Sequence, residues 1–267
     1  MFDILCAIGL IGGIGLLVGI FLGLANKFLQ VSVDKKEEEI VGVLPGNNCG
    51  GCGYPGCSGL AHAITQGQAS VNSCPVGGQA VADEIAKIMG VEAEKSEKKV
   101  AFVKCTGTLE NTSAYYEYYG TMDCRMAMNL PNAGPKSCQN GCLGLGSCIK
   151  VCDQNAIYIE NGIAKISPEK CVACGKCANI CPRKLIELIP ANEGEKRKKS
   201  KVACASTAPG PATMKVCKTG CIGCGICAKN CPREAITVKD FHASIDQSKC
   251  VGCGICMQKC PKKVIIS

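Results

Sequence analysis

The chain opens on an unbroken apolar run. Residues 4–26 carry no charged side chain and are mostly Ile, Leu, Val, Ala, Phe and Gly, long enough for a helix that crosses a bilayer. Asp3 precedes the run, and Lys27, Lys35 and Lys36 follow it. That asymmetry predicts an N-terminus outside the membrane and a cytoplasmic remainder. The opening Met-Phe-Asp lacks the basic start of a cleaved signal peptide, so residues 1–34 are expected to form a retained single-pass anchor in contact with lipid. Gly15, Gly19 and Gly23 recur every four residues, a face on which a second membrane helix could pack closely.

Beyond the anchor the apolar runs are short, and charged stretches separate them. Residues 35–39, 92–99 and 193–201 are charged, the last containing Lys196, Arg197, Lys198, Lys199 and Lys201. They divide the chain into a small domain at 40–90, a module at 100–192 with an N-terminal extension, and a module at 202–267. Residues 58–70 read as a short helix. The run from Tyr115 to Tyr119 reads as one side of a turn or helix, with the shielding of a buried group as the sharper alternative. The expected class is α+β: one transmembrane helix followed by three small domains.

Composition changes this picture. The chain has 25 cysteines, no Trp and 4% aromatic residues, too little large apolar surface to fold on burial alone. Disulfides or metal must supply the difference. The odd cysteine count, and triplets followed by Cys-Pro, argue against disulfides; metal binding then implies a reducing compartment. The formal charge of +8 counts every thiol as neutral. Five thiolate-bound clusters would add about −10, so the basicity is weak support for nucleic-acid binding, and none is expected.

The cysteines repeat. Those at 138, 142, 148, 152, 171, 174, 177 and 181 recur 79 residues later at 217, 221, 227, 231, 250, 253, 256 and 260. The second copy holds Cys221-x₂-Cys224-x₂-Cys227-x₃-Cys231-Pro and Cys250-x₂-Cys253-x₂-Cys256-x₃-Cys260-Pro, the run of bacterial two-cluster ferredoxins, in which the fourth cysteine serves the other cluster. One cluster is therefore expected on Cys221, Cys224, Cys227 and Cys260, and another on Cys250, Cys253, Cys256 and Cys231. Structural zinc, which uses separated pairs of ligands, leaves a cysteine of each triplet without a role.

The first copy departs at one position, where Leu145 stands in place of the counterpart of Cys224. Cys138 is expected to supply the missing ligand, giving Cys138, Cys142, Cys148 and Cys181, with a three-iron cluster on the last three as the alternative. Cys171, Cys174, Cys177 and Cys152 make the partner site. Cys217, the counterpart of Cys138, is then redundant. Cys49, Cys52, Cys57 and Cys74 in the N-terminal domain form a fifth [4Fe–4S] site, its first three ligands crowded by glycines. These sites use 20 cysteines. Cys6, Cys105, Cys124, Cys204 and Cys217 remain, and buried free thiols are their plainer reading. A sixth cluster on Cys105, Cys124, Cys204 and Cys217 is the sharper one. No nucleotide-binding fingerprint and no acid, base or nucleophile constellation stands out, so no catalytic residue is expected. His62 and His242 have no paired site.

Two segments carry a family resemblance. Cys49-Gly-Gly-Cys52-Gly-Tyr-Pro-Gly-Cys57 with Asn72-Ser-Cys74-Pro, after one membrane span, resembles the B subunits of Rnf complexes, as does Cys138-Gln-Asn-Gly-Cys142-Leu-Gly-Leu-Gly-Ser-Cys148. The resemblance implies a cell-membrane subunit of an ion-translocating ferredoxin:NAD⁺ oxidoreductase with no catalytic site of its own. It further implies that soluble ferredoxin is the electron donor, that other Rnf subunits are the partners, and that the NAD site lies on another subunit. A second reading is an iron–sulfur subunit supplying electrons to a corrinoid or CO-metabolising enzyme.

Overall fold

Asn161-Gly162, between two runs of alternating apolar and polar residues, is the strongest local hairpin signal in the chain. Both residues take positive φ, 47° and 73°, as a tight hairpin turn requires. They join β2 (Ile157–Glu160) to β3 (Ile163–Ile166), which pair antiparallel with Ile157 opposite Ile166. In the second copy Asp240 and Phe241 take the turn between β6 (Ile236–Lys239) and β7 (His242–Ile245), with Ile236 opposite Ile245.

The computed structural model describes the backbone of residues 2–28, 34–95, 97–191 and 198–267, and the same side chains apart from 2–11 and 26–28. Helix α1 (Phe2–Phe28) comes first. Among the described residues no helix is long and apolar enough to cross a membrane, and the expected span at residues 4–26 lies partly outside them. Where its side chains are described, α1 is apolar on every face and exposed, Phe21 by 71%. In the basic stretch at 193–201, Lys196 and Arg197 lie outside the described residues.

The N-terminal domain packs α2 (Lys35–Val43), α3 (Cys57–Thr65) and α4 (Gly78–Met89) around Ile40, Leu44, Leu60, Ala61, Ile64 and Ile85. Asp34 caps α2 by accepting from the Lys36 N–H at 3.0 Å. His62 faces Glu37 at 3.0 Å.

Each later module is built from the same parts. The first has β1 (Lys99–Val103), α5 (Cys124–Ala127), a 3₁₀ turn (Pro131–Ala133), α6 (Ser147–Lys150), β2, β3, α7 (Lys176–Ile180) and β4 (Ile186–Pro190). The second has β5 (Lys201–Val202), α8 (Gly210–Val216), α9 (Ile226–Lys229), β6, β7, α10 (Ile255–Lys259) and β8 (Ile265–Ile266). In each, the first strand pairs antiparallel with the last: Val103 opposite Ile186, and Val202 opposite Ile265. The described strands thus form four two-stranded sheets. The short helices that carry the third cysteine of the Cys171 and Cys250 triplets, Cys177 in α7 and Cys256 in α10, need an abrupt change of direction at their start. Gly175 and its counterpart Gly254 provide it in left-handed geometry, at φ 77° and 74°, where a Cβ would be strained.

The strand pairing extends the repeat. Val103 and Val202 are 99 residues apart, whereas Ile186 and Ile265 keep the 79-residue offset. The first module is therefore 20 residues longer between its first strand and Cys138, and that extra length contains the tyrosine run and α5. Tyr118 packs, beside Cys124, on the buried trio Ala127, Leu143 and Leu145, while Tyr119 points outward, 91% exposed.

Candidate iron–sulfur centres

Sulfur is core material in this protein. Cys204, Cys221, Cys227 and Cys256 sit in one buried cluster with Val202, Ile236, Val264 and Ile265; Cys148 and Cys177 sit in another with Val103, Ile157 and Ile186. Among the described residues, cysteines of the two modules line five cavities. Among the described residues no three His, Cys, Asp or Glu side chains come together closely enough to hold a single metal ion.

In the second module one cavity is lined by Cys221, Cys224, Cys227 and Cys260, and another by Cys231, Cys250, Cys253 and Cys256. These are the two sets expected from the ferredoxin run. The Ala235 N–H donates to Cys231 Sγ at 3.4 Å. Cys224 is exposed and the other cysteines of this module are not.

In the first module a cavity is lined by Cys152, Cys171, Cys174 and Cys177, again the expected set. Ala156 N–H donates to Cys152 Sγ and Ala101 N–H to Cys171 Sγ, both at 3.4 Å. The neighbouring cavity differs from the sequence expectation. It is lined by Cys124, Cys142, Cys148 and Cys181, without Cys138. The extra length of the first module explains the exchange. Leu145 packs against α5 and holds Cys124 at the edge of the cavity. Asp123 fixes the start of that helix, accepting from the Arg125 N–H at 2.9 Å and from Ser147 Oγ at 3.0 Å. Ser147 Oγ in turn accepts from the Cys124 N–H at 2.6 Å. The Arg125 N–H is the main reason the Asp123 carboxyl is held down at about 2, with Ser147 and Lys150 adding to it, so this latch is ionised at any physiological pH. The sequence signal for Cys124 was present: one module loses a cysteine at 145 and gains one in its extra segment.

Cys138 lines a fifth cavity instead, with Cys105, Cys204 and Cys217. The sixth set expected from the sequence, with Cys124 in place of Cys138, is not the one the fold brings together.

In the N-terminal domain Cys52, Cys57 and Cys74 pack against the apolar core. Burial raises the Cys74 thiol, opposed by the Gly77 and Val76 N–H groups, while the thiolates of Cys52 and Cys57 raise it further. Cys49 lies on the border with the first module, on the wall of the Cys171 cavity. The contact is close: a Cβ on Gly51 would stand 2.6 Å from the Cys174 carbonyl oxygen.

Burial pushes the Cys148 thiol up to about 12, and the thiolates of Cys142, Cys124 and Cys181 push the same way. Burial is also the main cause at Cys177, Cys204 and Cys227, each raised to about 11. Such thiols hold their protons unless a metal displaces them. Protons bind only the metal-free form, so acid favours that form. Chelator extraction of bound metal is therefore expected to accelerate several-fold as pH falls from about 9 to about 6, followed by the loss of visible absorbance. A pH-independent rate would contradict it.

Two cations, Lys136 buried and Arg183 half-buried, stand beside these thiols. Lys136, 3% exposed, donates from Nζ to the Gly162 carbonyl at 2.7 Å and the Gly107 carbonyl at 3.0 Å. The Arg183 guanidinium donates to the carbonyls of Cys138 (2.8 Å), Gly141 (2.5 Å) and Ala133 (2.7 Å). Burying a cation without an anion nearby is unfavourable; metal-bound thiolates would supply the anion. Four thiols, N–H donors to sulfur, apolar walls and adjacent cations fit a thiolate-ligated iron–sulfur cluster.

Comparison with known proteins agrees with these cavities. Residues 44–76 match the family described as "Putative Fe-S cluster", residues 164–187 the 4Fe-4S binding domain, and residues 220–264 the 4Fe-4S dicluster domain. The B subunit of the Na(+)-translocating ferredoxin:NAD(+) oxidoreductase complex of Acetobacterium woodii is 46% identical over 247 residues, covering 92% of this chain and 72% of the relative. The B subunit of the ion-translocating oxidoreductase complex of Methanosarcina acetivorans is 39% identical, covering 91% of this chain and 90% of the relative. The B subunit of the proton-translocating ferredoxin:NAD(+) oxidoreductase complex of Clostridium ljungdahlii is 39% identical, covering 88% and 81%.

Proposed function

The chain belongs to the B subunits of the ion-translocating ferredoxin:NAD(+) oxidoreductase complexes, the Rnf complexes, and on that premise we propose how it carries electrons within such a complex. It is an electron-transfer subunit with 4Fe-4S ferredoxin-type domains. Reduced ferredoxin is the donor, the other Rnf subunits are the acceptors, and residues 4–26 anchor the chain with its iron–sulfur domains in the cytoplasm. The observation that carries this reading is the grouping of thiols by fours around separate cavities.

We take five [4Fe–4S] sites, four on these cavities and one on the N-terminal cysteines, whose spacing supports it. They are Cys49, Cys52, Cys57 and Cys74; Cys152, Cys171, Cys174 and Cys177; Cys221, Cys224, Cys227 and Cys260; Cys231, Cys250, Cys253 and Cys256; and Cys142, Cys148 and Cys181 completed by Cys124. Each cluster, when bound, supplies a site that takes up and releases one electron. The protein's own groups do the rest. N–H donors to sulfur and the cations Lys136 and Arg183 favour added negative charge, and the apolar walls exclude water. Exposed Cys224 gives the donor its closest approach in the second module. The Gly51–Cys174 contact gives the way out, towards the domain that follows the anchor.

Single-turnover mixing with a reduced two-cluster ferredoxin tests this. Bleaching of the chain's clusters within the mixing series is expected, and no electron uptake would contradict it. Gly51→Val, which forces the Gly51–Cys174 contact apart, is expected to slow the last phase at least tenfold with the iron content unchanged. An unchanged last phase would place the exit elsewhere.

A further inference from the structure

We infer that the fifth cavity, between the two modules, is a sixth [4Fe–4S] site, held by Cys105 and Cys138 of the first module and Cys204 and Cys217 of the second. All four thiols line one cavity. Two come from each copy of the repeat, at equivalent places: Cys105 and Cys204 are 99 residues apart, like the strands they follow, and Cys138 and Cys217 are 79 apart. The site is a composite that neither module completes alone. It also gives Cys217 a use: that cysteine stands beside a triplet already complete with Cys224.

The donors to sulfur obey the same symmetry. Cys105 Sγ accepts from the N–H groups of Gly107 at 3.4 Å and Cys142 at 3.3 Å. Cys204 Sγ accepts from those of Ser206 at 3.4 Å and Cys221 at 3.3 Å. Thr112 Oγ1 donates to Cys217 Sγ at 3.7 Å, and Thr219 Oγ1 lies at the same distance. A Cβ on Gly107 would sit 3.6 Å from both Cys105 Sγ and Cys217 Sγ, so the two sulfurs, one from each module, face the same point. Lys136 also lines this cavity, its buried charge turned to a place where thiolate-bound iron would sit.

Backbone bonds across the seam hold the halves in register: Ser113 N–H to Val216 O at 3.1 Å and Lys218 N–H to Asn111 O at 2.7 Å. The position matters for conduction. Cys142 and Cys221, whose N–H groups donate into the site, are themselves ligands of the adjacent sites in the first and second modules. The composite site therefore bridges the two modules.

This inference rests on the reading that the flanking cavities hold clusters, and iron counting separates the two. The full chain, purified anaerobically, is expected to hold about 24 irons with matching acid-labile sulfide. The double variant Cys105→Ser/Cys204→Ser is expected to lose about four of each. About 20 irons in both proteins would overturn the sixth site and leave the others standing. Zinc with little iron would overturn the reading beneath it as well. Should the double variant not fold, Thr112→Val keeps every thiol and removes one donor to Cys217. It is expected to shift one reduction potential among six; no shift in any would overturn the inference.

Discussion

Stripping the iron from the anaerobically purified chain is expected to unfold residues 100–267 while the helices of the N-terminal domain persist. Four of the nine buried residues in the core of the second module are cysteines. The large apolar side chains left are Val202, Ile236, Val264 and Ile265, each contributing about 1.5–3 kcal/mol. Ordering the backbone costs about 1–2 kcal/mol per residue, and the described sheets have only two strands each, a size that is marginal in water. Metal ligation has to supply the remainder, as structural metal does elsewhere at about 10 kcal/mol or more per site. The N-terminal domain differs: Ile40, Leu60, Ile64 and Ile85 are fully buried among three helices. Limited proteolysis after chelation should therefore cut first beyond residue 100, and circular dichroism should keep a helical remnant. An unchanged digestion pattern would mean that the modules fold on their polypeptide alone.

Deleting residues 1–33 is expected to move the protein, expressed without its partner subunits, from washed membranes wholly into the soluble fraction. The charge-free stretch at residues 4–26 has the length of a bilayer span, and the described part of α1 leaves Leu16, Leu17 and Phe21 exposed. A second membrane attachment would have to come from the cysteine-rich domains, whose buried apolar residues already face their own cavities. The iron content of the released protein should equal that of the parent. Retention on salt-washed membranes would show that another part of the chain binds lipid.

Most of the fold was legible because cysteine spacing is both repeat marker and ligand rule. The 79-residue offset maps α6 onto α9, α7 onto α10 and each hairpin onto its counterpart, and Asn161-Gly162 marks the first of those turns. In three of the four cavities within the two modules, the lining cysteines are the set that the Cys-Pro exchange predicts. The fourth differs: the spacing points to Cys138, four residues before Cys142, whereas the cavity is lined by Cys124. Sequence distance cannot reveal that Leu145 packs on α5 and draws Cys124 inward. Nor could spacing show that Cys105 and Cys204 are counterparts, since their 99-residue separation breaks the offset. Only the register of β1 with β4 and of β5 with β8 makes the 20-residue difference visible. His62 has no evident partner in the sequence because Glu37, which it faces, lies on a different helix.

The central claim is that the thiol-lined cavities make this chain a conductor of electrons, and a reductive titration tests it most directly. The purified protein would be reduced stepwise with a low-potential donor under argon, with iron, sulfide and zinc counted on the same sample. The account predicts sulfide equal to iron and at least five electrons taken up per chain, one for each cluster. Zinc without sulfide, and no electron uptake, would contradict it and leave a structural metal scaffold in its place.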